Sequence, residues 1–124
     1  MHTRHALYFA AAMAMATASL ATPLAAAHAS LTGSSPQAGA TVATAPKEIM
    51  LTFNEKVEAV FSTMSLLGDG GKPVTTDKAI VDASNPAVLR MAVPVLSAGA
   101  YTVSWAVVGH DGHRRHGAFK FTVK

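Results

Sequence analysis

Apolar and polar residues alternate along four short stretches of the chain, residues 47–54, 87–93, 100–108 and 116–124. In the first stretch, every second residue is large and apolar, which is the period of a β-strand with one buried face. The residues that share the predicted inner faces are Ile49, Leu51 and Phe53; Leu89, Met91 and Val93; Tyr101, Val103, Trp105 and Val107; and Phe119, Phe121 and Val123. Residues 58–67 are predicted to form a further strand or pair of strands.

Turn-forming residues separate these strands. They are Ser35 and Pro36, Ala45 and Pro46, residues 68–71, Asn85 and Pro86, and residues 97–99. No stretch after residue 28 has the apolar spacing of an amphipathic helix. About seven short strands at regular spacing are typical of an antiparallel β-sandwich or small barrel, so we predict an all-β fold.

The first 27 residues have a different composition from the rest of the chain. They begin with a basic stretch, continue with an apolar run from about residue 6 to residue 18, and end in an A-x-A site at 25–27. This pattern predicts a secretory signal peptide over residues 1–27 and a single mature domain over residues 28–124. A membrane anchor is the alternative, but the run is rich in Ala and shorter than the roughly 20 residues of a spanning helix. We therefore expect an exported protein without stable membrane insertion after cleavage.

Composition excludes several classes of function. The chain has no cysteine, so thiolate metal sites and thiol enzymes are ruled out. The net charge is only +3, and apart from the pair Arg114 and Arg115 the basic residues are scattered. A nucleic-acid partner is not expected, because binding to it needs a continuous basic surface.

The segment 109–116, which lies between the last two predicted strands, contains three of the four histidines that follow Ala27. In an extended segment, Asp111 and His113 point to the same side and could bind one metal ion together. The dipeptide of Asp111 and Gly112 is also a common turn signal, and we keep that alternative open. His110 and His116 are out of phase with this pair. They are surface residues or weak ligands of a second ion.

Cleavage after Ala27 makes His28 the first residue of the mature chain. Its α-amine and imidazole can then form one chelate ring, and an amine with a pKa of about 8 loses its proton readily when a metal binds. With Asp111 and His113, the donor set is three nitrogens and one carboxylate oxygen. This set favours Cu(II), which prefers tetragonal N/O coordination and has the highest affinity in the divalent series.

The mature sequence resembles the CopC family of periplasmic copper-resistance proteins along essentially its whole length. The similar segments are HASL at 28–31, SSPQAG at 34–39, LTFNE at 51–55, AGAYTVSW at 98–105, DGH at 111–113 and GAFKFTV at 117–123. The resemblance implies a cupredoxin-like or immunoglobulin-like β-sandwich in the periplasm.

The resemblance also implies a function and its residues. The family binds Cu(II) through an N-terminal histidine, an aspartate and a second histidine, which correspond here to His28, Asp111 and His113. Glu55 corresponds to a glutamate that lies behind a metal ligand in some family members, where it could accept a hydrogen bond from the ligand imidazole and orient it; the alternative is an ordinary surface carboxylate. The implied role is that of a copper carrier or buffer and not of an enzyme. Its partner would be a CopD-like copper transporter of the inner membrane.

One departure from the family pattern concerns Cu(I) binding. Some family members bind Cu(I) through a methionine-rich loop, but Met50, Met64 and Met91 are spread over predicted strands, so we expect no good Cu(I) site.

One alternative function is a copper monooxygenase with an N-terminal histidine brace. It is disfavoured because the equatorial carboxylate resists copper reduction and because Tyr101 and Trp105 are predicted to be buried. A domain that binds Zn(II) or Ni(II), or a purely structural one, is the third alternative.

Overall fold

The computed structural model describes residues 29–124, so the predicted signal peptide over residues 1–27 lies outside the described residues. The described part is all-β and contains no α-helix. Its strands are β1 (Leu31–Ser35), β2 (Thr41–Val42), β3 (Glu48–Phe53), β4 (Thr63–Leu67), β5 (Pro73–Val74), β6 (Ile80–Asp82), β7 (Asn85–Ala92), β8 (Gly99–Val108) and β9 (Arg114–Val123). Two 3₁₀ helices, Ala59–Phe61 and Asp69–Gly71, lie on either side of β4.

The strands form two sheets. One has the order β1–β3–β7–β6 and the other the order β2–β9–β8–β4–β5. All neighbours are antiparallel except β2, which runs parallel to β9 over two residue pairs at the edge of its sheet. The predicted all-β sandwich is therefore confirmed, with one short parallel pair in addition. Residues 29–124 contain nine strands. Two of them, β2 and β5, are only two residues long, and the seven longer strands agree with the predicted number of about seven. No helix in this part of the chain is long and apolar enough to cross a membrane.

The core lies between the two sheets and is built by the predicted alternation. In β3, Ile49, Leu51 and Phe53 are buried, while the residues between them are partly exposed. The largest side chains that are fully buried come from both sheets: Ile49, Leu51, Leu66, Leu89, Met91, Val103, Val107 and Phe121. Burial of such side chains is the main source of stability in a domain of this size that has no disulfide.

The aromatic residues of β8 are buried to different extents. Tyr101 is buried as predicted, stacks on Phe121 and donates a hydrogen bond from its hydroxyl to the Ser97 carbonyl at 2.7 Å. Trp105 is only half-buried, so the prediction of a buried indole is wrong for this residue. The indole meets Phe53 edge to face and lines a cleft at the surface.

On the first sheet, Arg90 forms ion pairs with Glu48 and Asp82. We expect these ion pairs to make the stability of the fold sensitive to acid. Hydrogen bonds from the Ser84 hydroxyl and from Arg90 lower the pKa of Asp82 from 3.8 to about 2. Because the pKa of Asp82 is lower in the folded state, the contacts of its carboxylate stabilise the protein above pH 3.8, and this stabilisation is lost as the pH falls through about 2. We expect Asp82→Asn to flatten the fall in melting temperature over this interval, measured by circular dichroism. Asp77→Asn is the control, since Asp77 forms no ion pair within residues 29–124, and an equal effect of this variant would contradict the prediction.

Candidate metal centre

The segment between β8 and β9 is a tight turn. The Gly112 N–H donates to the Gly109 carbonyl at 2.9 Å, and the Gly109 N–H donates to the His113 carbonyl at 3.0 Å. Gly112 has a φ of 83°, a conformation that glycine adopts without steric cost. The expectation of an extended segment is therefore wrong, and the alternative is right: Asp111 and Gly112 turn the chain.

The turn nevertheless brings Asp111 and His113 together. Oδ1 of Asp111 accepts the backbone N–H of His113 at 3.0 Å, and Oδ2 lies 3.1 Å from Nδ1 of the His113 ring. The carboxylate thus closes a small ring with the backbone two residues further on, as Asp commonly does in turns. The two predicted ligands are adjacent, although by a local hydrogen bond and not by strand periodicity.

A second segment, residues 55–58, runs beside this turn. Val57 forms an isolated β-bridge with Gly109. The Glu58 N–H donates to the Val108 carbonyl at 2.8 Å, and the His110 N–H donates to the Lys56 carbonyl at 3.1 Å. These bonds hold Glu55, which follows β3 closely, next to a turn more than fifty residues away in sequence.

Gly109 is the point at which these segments meet. A Cβ atom at this position would lie 2.5 Å from Glu55 Oε1, 3.2 Å from the Ala29 Cβ and 3.3 Å from Asp111 Oδ1. Both carboxylates and the start of the described chain therefore surround one glycine. The sequence did not single out Gly109, because nothing near it in sequence indicates that a distant carboxylate packs against its α-carbon.

Glu55 is placed unusually for a carboxylate. Its Oε1 is buried and has no hydrogen-bond partner among the described residues. A buried carboxylate oxygen without a donor is costly, and in native proteins such atoms are generally satisfied by a ligand, an ion or another polar group. The alternative of an ordinary surface carboxylate does not account for this environment.

The described chain begins beside Glu55. Ala29 is 1% exposed. The Ser30 N–H donates to Asn54 Oδ1 at 2.7 Å, and the Asn54 N–H donates to the Ser30 carbonyl at 2.9 Å. This reciprocal pair fixes residues 29 and 30 against the end of β3. The predicted ligand His28 lies outside the described residues.

The remaining candidates do not form a site. His110 and His116 are exposed. Met64 and Met91 are buried in the core, and Met50 is half-buried on β3, so these methionines belong to strands as predicted. Within residues 29–124, no three His, Asp or Glu side chains are close enough to hold a metal ion. Asp111 and His113 are the two predicted ligands that this range brings together.

The chain is similar to proteins that are known by sequence and by structure. Residues 31–124 match the CopC domain family. Protein YobA of Escherichia coli K12 is 40% identical over 116 residues, which cover 91% of this chain and 92% of YobA. Copper resistance protein C of Escherichia coli is 35% identical over 105 residues, which cover 79% of this chain and 82% of that protein.

The fold is shared with a solved structure of the same family. The crystal structure of CopC from Methylosinus trichosporium OB3b superposes with a TM-score of 0.74 at 37% identity, covering 78% of this chain and 94% of that chain. At this identity and coverage, the likeness extends to sequence as well as architecture. Together with the match over residues 31–124, it establishes that the chain belongs to the CopC domain family.

Proposed function

We propose that this protein binds one Cu(II) ion in the periplasm and acts as a copper carrier or buffer in copper resistance. The relative named copper resistance protein C supports the copper-related role. Copper is the cargo of the protein and not a catalytic cofactor, and we propose no enzymatic activity.

The proposed ligands are the α-amine and imidazole of His28, the carboxylate of Asp111 and the imidazole of His113. The observation that supports this set best is the meeting of Ala29, Glu55 and Asp111 around Gly109. Covalent geometry keeps the α-carbon of residue 28 about 3.8 Å from that of Ala29. A histidine at this position is therefore within reach of the turn that contains Asp111 and His113.

The chemistry of the donors favours Cu(II) over other metals. Three nitrogens and one carboxylate oxygen suit its tetragonal geometry, and Cu(II) has the highest affinity in the divalent series. Asp111 Oδ2 already lies 3.1 Å from Nδ1 of His113, and binding of one copper ion by both side chains would replace this contact with bonds to the metal. The chain has no cysteine, Met64 and Met91 are buried, and Met50 lies on a different strand from either, so residues 29–124 bring no group of sulfur donors together for Cu(I).

Glu55 has a supporting role in this proposal. Its unpartnered Oε1 faces the space beside Ala29 and Asp111. There it would accept a hydrogen bond from an N–H group of His28 and so fix the orientation of that ligand. Its negative charge would also favour a cation in the same space.

The proposal requires the signal peptide to be removed. Cleavage after Ala27 creates the α-amine of His28, which cannot bind copper as an amine while it is part of a peptide bond. Export and cleavage are therefore steps in forming the site. We propose a CopD-like copper transporter of the inner membrane as the partner that exchanges copper with the mature domain.

The experiment that tests this proposal is a pair of Cu(II) titrations. One uses the protein that begins at His28, and the other uses the same protein with one extra glycine before His28. The extension keeps every side chain and moves only the amine. We expect the protein that begins at His28 to bind one Cu(II) ion. The extended form should bind it at least about tenfold more weakly, because the chelate ring of the His28 amine and imidazole is lost. Equal binding by both forms would refute the N-terminal chelate, and tighter binding of Zn(II) or Ni(II) in parallel titrations would refute the choice of metal.

A further inference from the structure

A cleft of about 420 Å³ opens at the end of the sandwich next to the proposed copper site. One wall is formed by Ala29 and Ser30, where the described chain begins, and the other by Arg114, Arg115 and His116, where β9 begins. Ala29 also contacts the space around Gly109, and Arg114 directly follows His113. The cleft and the proposed metal ligands therefore share neighbouring residues on both sides.

The cationic wall is not neutralised by the described part of the protein. Arg90 forms ion pairs with both Glu48 and Asp82. Arg114 and Arg115, in contrast, form no ion pair with any carboxylate of residues 29–124. Two arginines that line the cleft without counter-charges among the described residues leave a positive potential there, which attracts anions.

Trp105 also lines the cleft, and its ring is held on two sides. The indole meets Phe53 edge to face, with ring centroids 5.2 Å apart. On β9, its register partner is Gly117, where a Cβ atom would lie only 2.6 Å from the indole Cζ2. Only a glycine leaves room for the ring at this point. The cleft thus includes an aromatic side chain that packs closely against Phe53 and Gly117.

We propose that this cleft binds a small polycarboxylate anion, of the kind that carries Cu(II) in solution, and that it brings the chelated copper to the metal centre. The planar guanidinium group presents paired N–H donors that match a carboxylate. The volume lies within the range of about 300–1,000 Å³ that is usual for small-molecule sites. The inference rests on the proposed Cu(II) function, because only a copper carrier has use for such an anion beside its ligands.

The exchange involves no change of oxidation state. Cu(II) leaves the carboxylate oxygens of the chelate and binds the nitrogens of His28 and His113 and the oxygen of Asp111. The proton displaced from the His28 amine passes to the released anion or to solvent. Arg114 and Arg115 hold the anion during the transfer and do not bind the metal.

The first test uses the copper-free protein that begins at His28, with citrate as the probe at constant ionic strength. Trp105 is the only tryptophan of the chain, so its fluorescence reports directly on the cleft. We expect a saturable change that is at least about tenfold weaker in Arg114→Gln/Arg115→Gln. The control Lys72→Gln/Lys78→Gln removes the same charge from the opposite end of the sandwich and is expected to bind like the original protein. Melting temperatures verify that all variants fold.

The second test measures how fast copper enters the protein from two chelates. Transfer from Cu(II)–citrate, which is anionic, is expected to slow about tenfold in the arginine variant, because the favourable electrostatic attraction is lost. Transfer from the neutral Cu(II)–bis-glycinate complex is expected to be unchanged. Equal slowing with both chelates would mean that the variant damages the copper site itself and would refute the role in delivery.

Several outcomes would overturn the proposal. They are the absence of saturable citrate binding, equal weakening in the lysine control, or tighter binding of inorganic phosphate than of citrate. Tighter binding of hexaglutamate through the same arginines would replace the small anion with an acidic segment of a protein partner. Because the first test contains no copper, its result is independent of whether the N-terminal chelate exists.

Discussion

Replacement of Asp111 by Asn or of His113 by Gln is expected to weaken Cu(II) binding by at least about a hundredfold. Each change removes one proposed ligand, whereas loss of a supporting residue alone commonly costs about 10–100-fold in metal affinity. Asp111→Asn keeps the size of the side chain and an oxygen that can accept the His113 N–H, so the turn should be preserved while the charge is lost. The measurement is a competition titration against a Cu(II) chelator of known affinity, together with the electron paramagnetic resonance spectrum, which reports on the number of nitrogen ligands.

The matched control for these variants is His110→Gln. His110 lies in the same turn, and its side chain is exposed. Its backbone N–H donates to the Lys56 carbonyl, and the substitution leaves this hydrogen bond in place. We expect the copper affinity to be unchanged within about twofold, as for a surface substitution away from the site. If His110→Gln weakened binding as much as His113→Gln, the ligand set would have to include His110, and the assignment to Asp111 and His113 would be wrong.

Gly109→Ala is expected to weaken copper binding by about 10–100-fold while destabilising the fold by only about 1 kcal/mol. The added methyl group lies 2.5 Å from Glu55 Oε1, which must move. This oxygen ends a flexible side chain, so the fold can accommodate the shift at modest cost. Ala29 and Asp111 are also closer to the new atom than ordinary contact, and displacement of these groups changes the relative positions of the proposed ligands. Melting temperature and Cu(II) affinity measure the two effects separately.

Gly33→Ala is the control for this substitution. Gly33 lies on β1, and an added Cβ atom meets nothing within 4 Å. Both stability and copper affinity should therefore stay close to those of the original protein. A Gly109→Ala protein that binds copper normally would show that the space between Glu55, Ala29 and Asp111 is not part of the metal centre.

The strands and the core were predictable because their signal is local. In β3 and β8, alternate residues are buried, and the same period was visible in the sequence as alternating Ile49, Leu51 and Phe53 and alternating Tyr101 and Val103. A strand of period two in a sandwich has one inner face, so the choice of inner residues follows from the sequence alone. Trp105 was the exception on β8, because it shares the inward period of Val103 and Val107 but is only partly buried.

The adjacency of Asp111 and His113 was predicted for a wrong reason. Strand periodicity would have placed them on one side of an extended segment, but the chain turns there, and the Asp111 carboxylate binds the His113 backbone. Both geometries bring residues i and i+2 together, so the sequence could not distinguish them. The turn signal of Asp111 and Gly112 was present, and it describes the local structure correctly.

By itself, the sequence determined the fold class, the inner faces of the main strands, the lack of thiolate ligands and the likeness to CopC proteins. These properties depend on composition, on local periodicity and on short motifs. Only the tertiary structure decided that Glu55 and Ala29 meet the Asp111 turn at Gly109, and that Arg114 and Arg115 line a cleft beside it. These contacts join segments that are far apart in the chain, and they depend on the pairing of strands and the packing of two sheets, which no local pattern encodes.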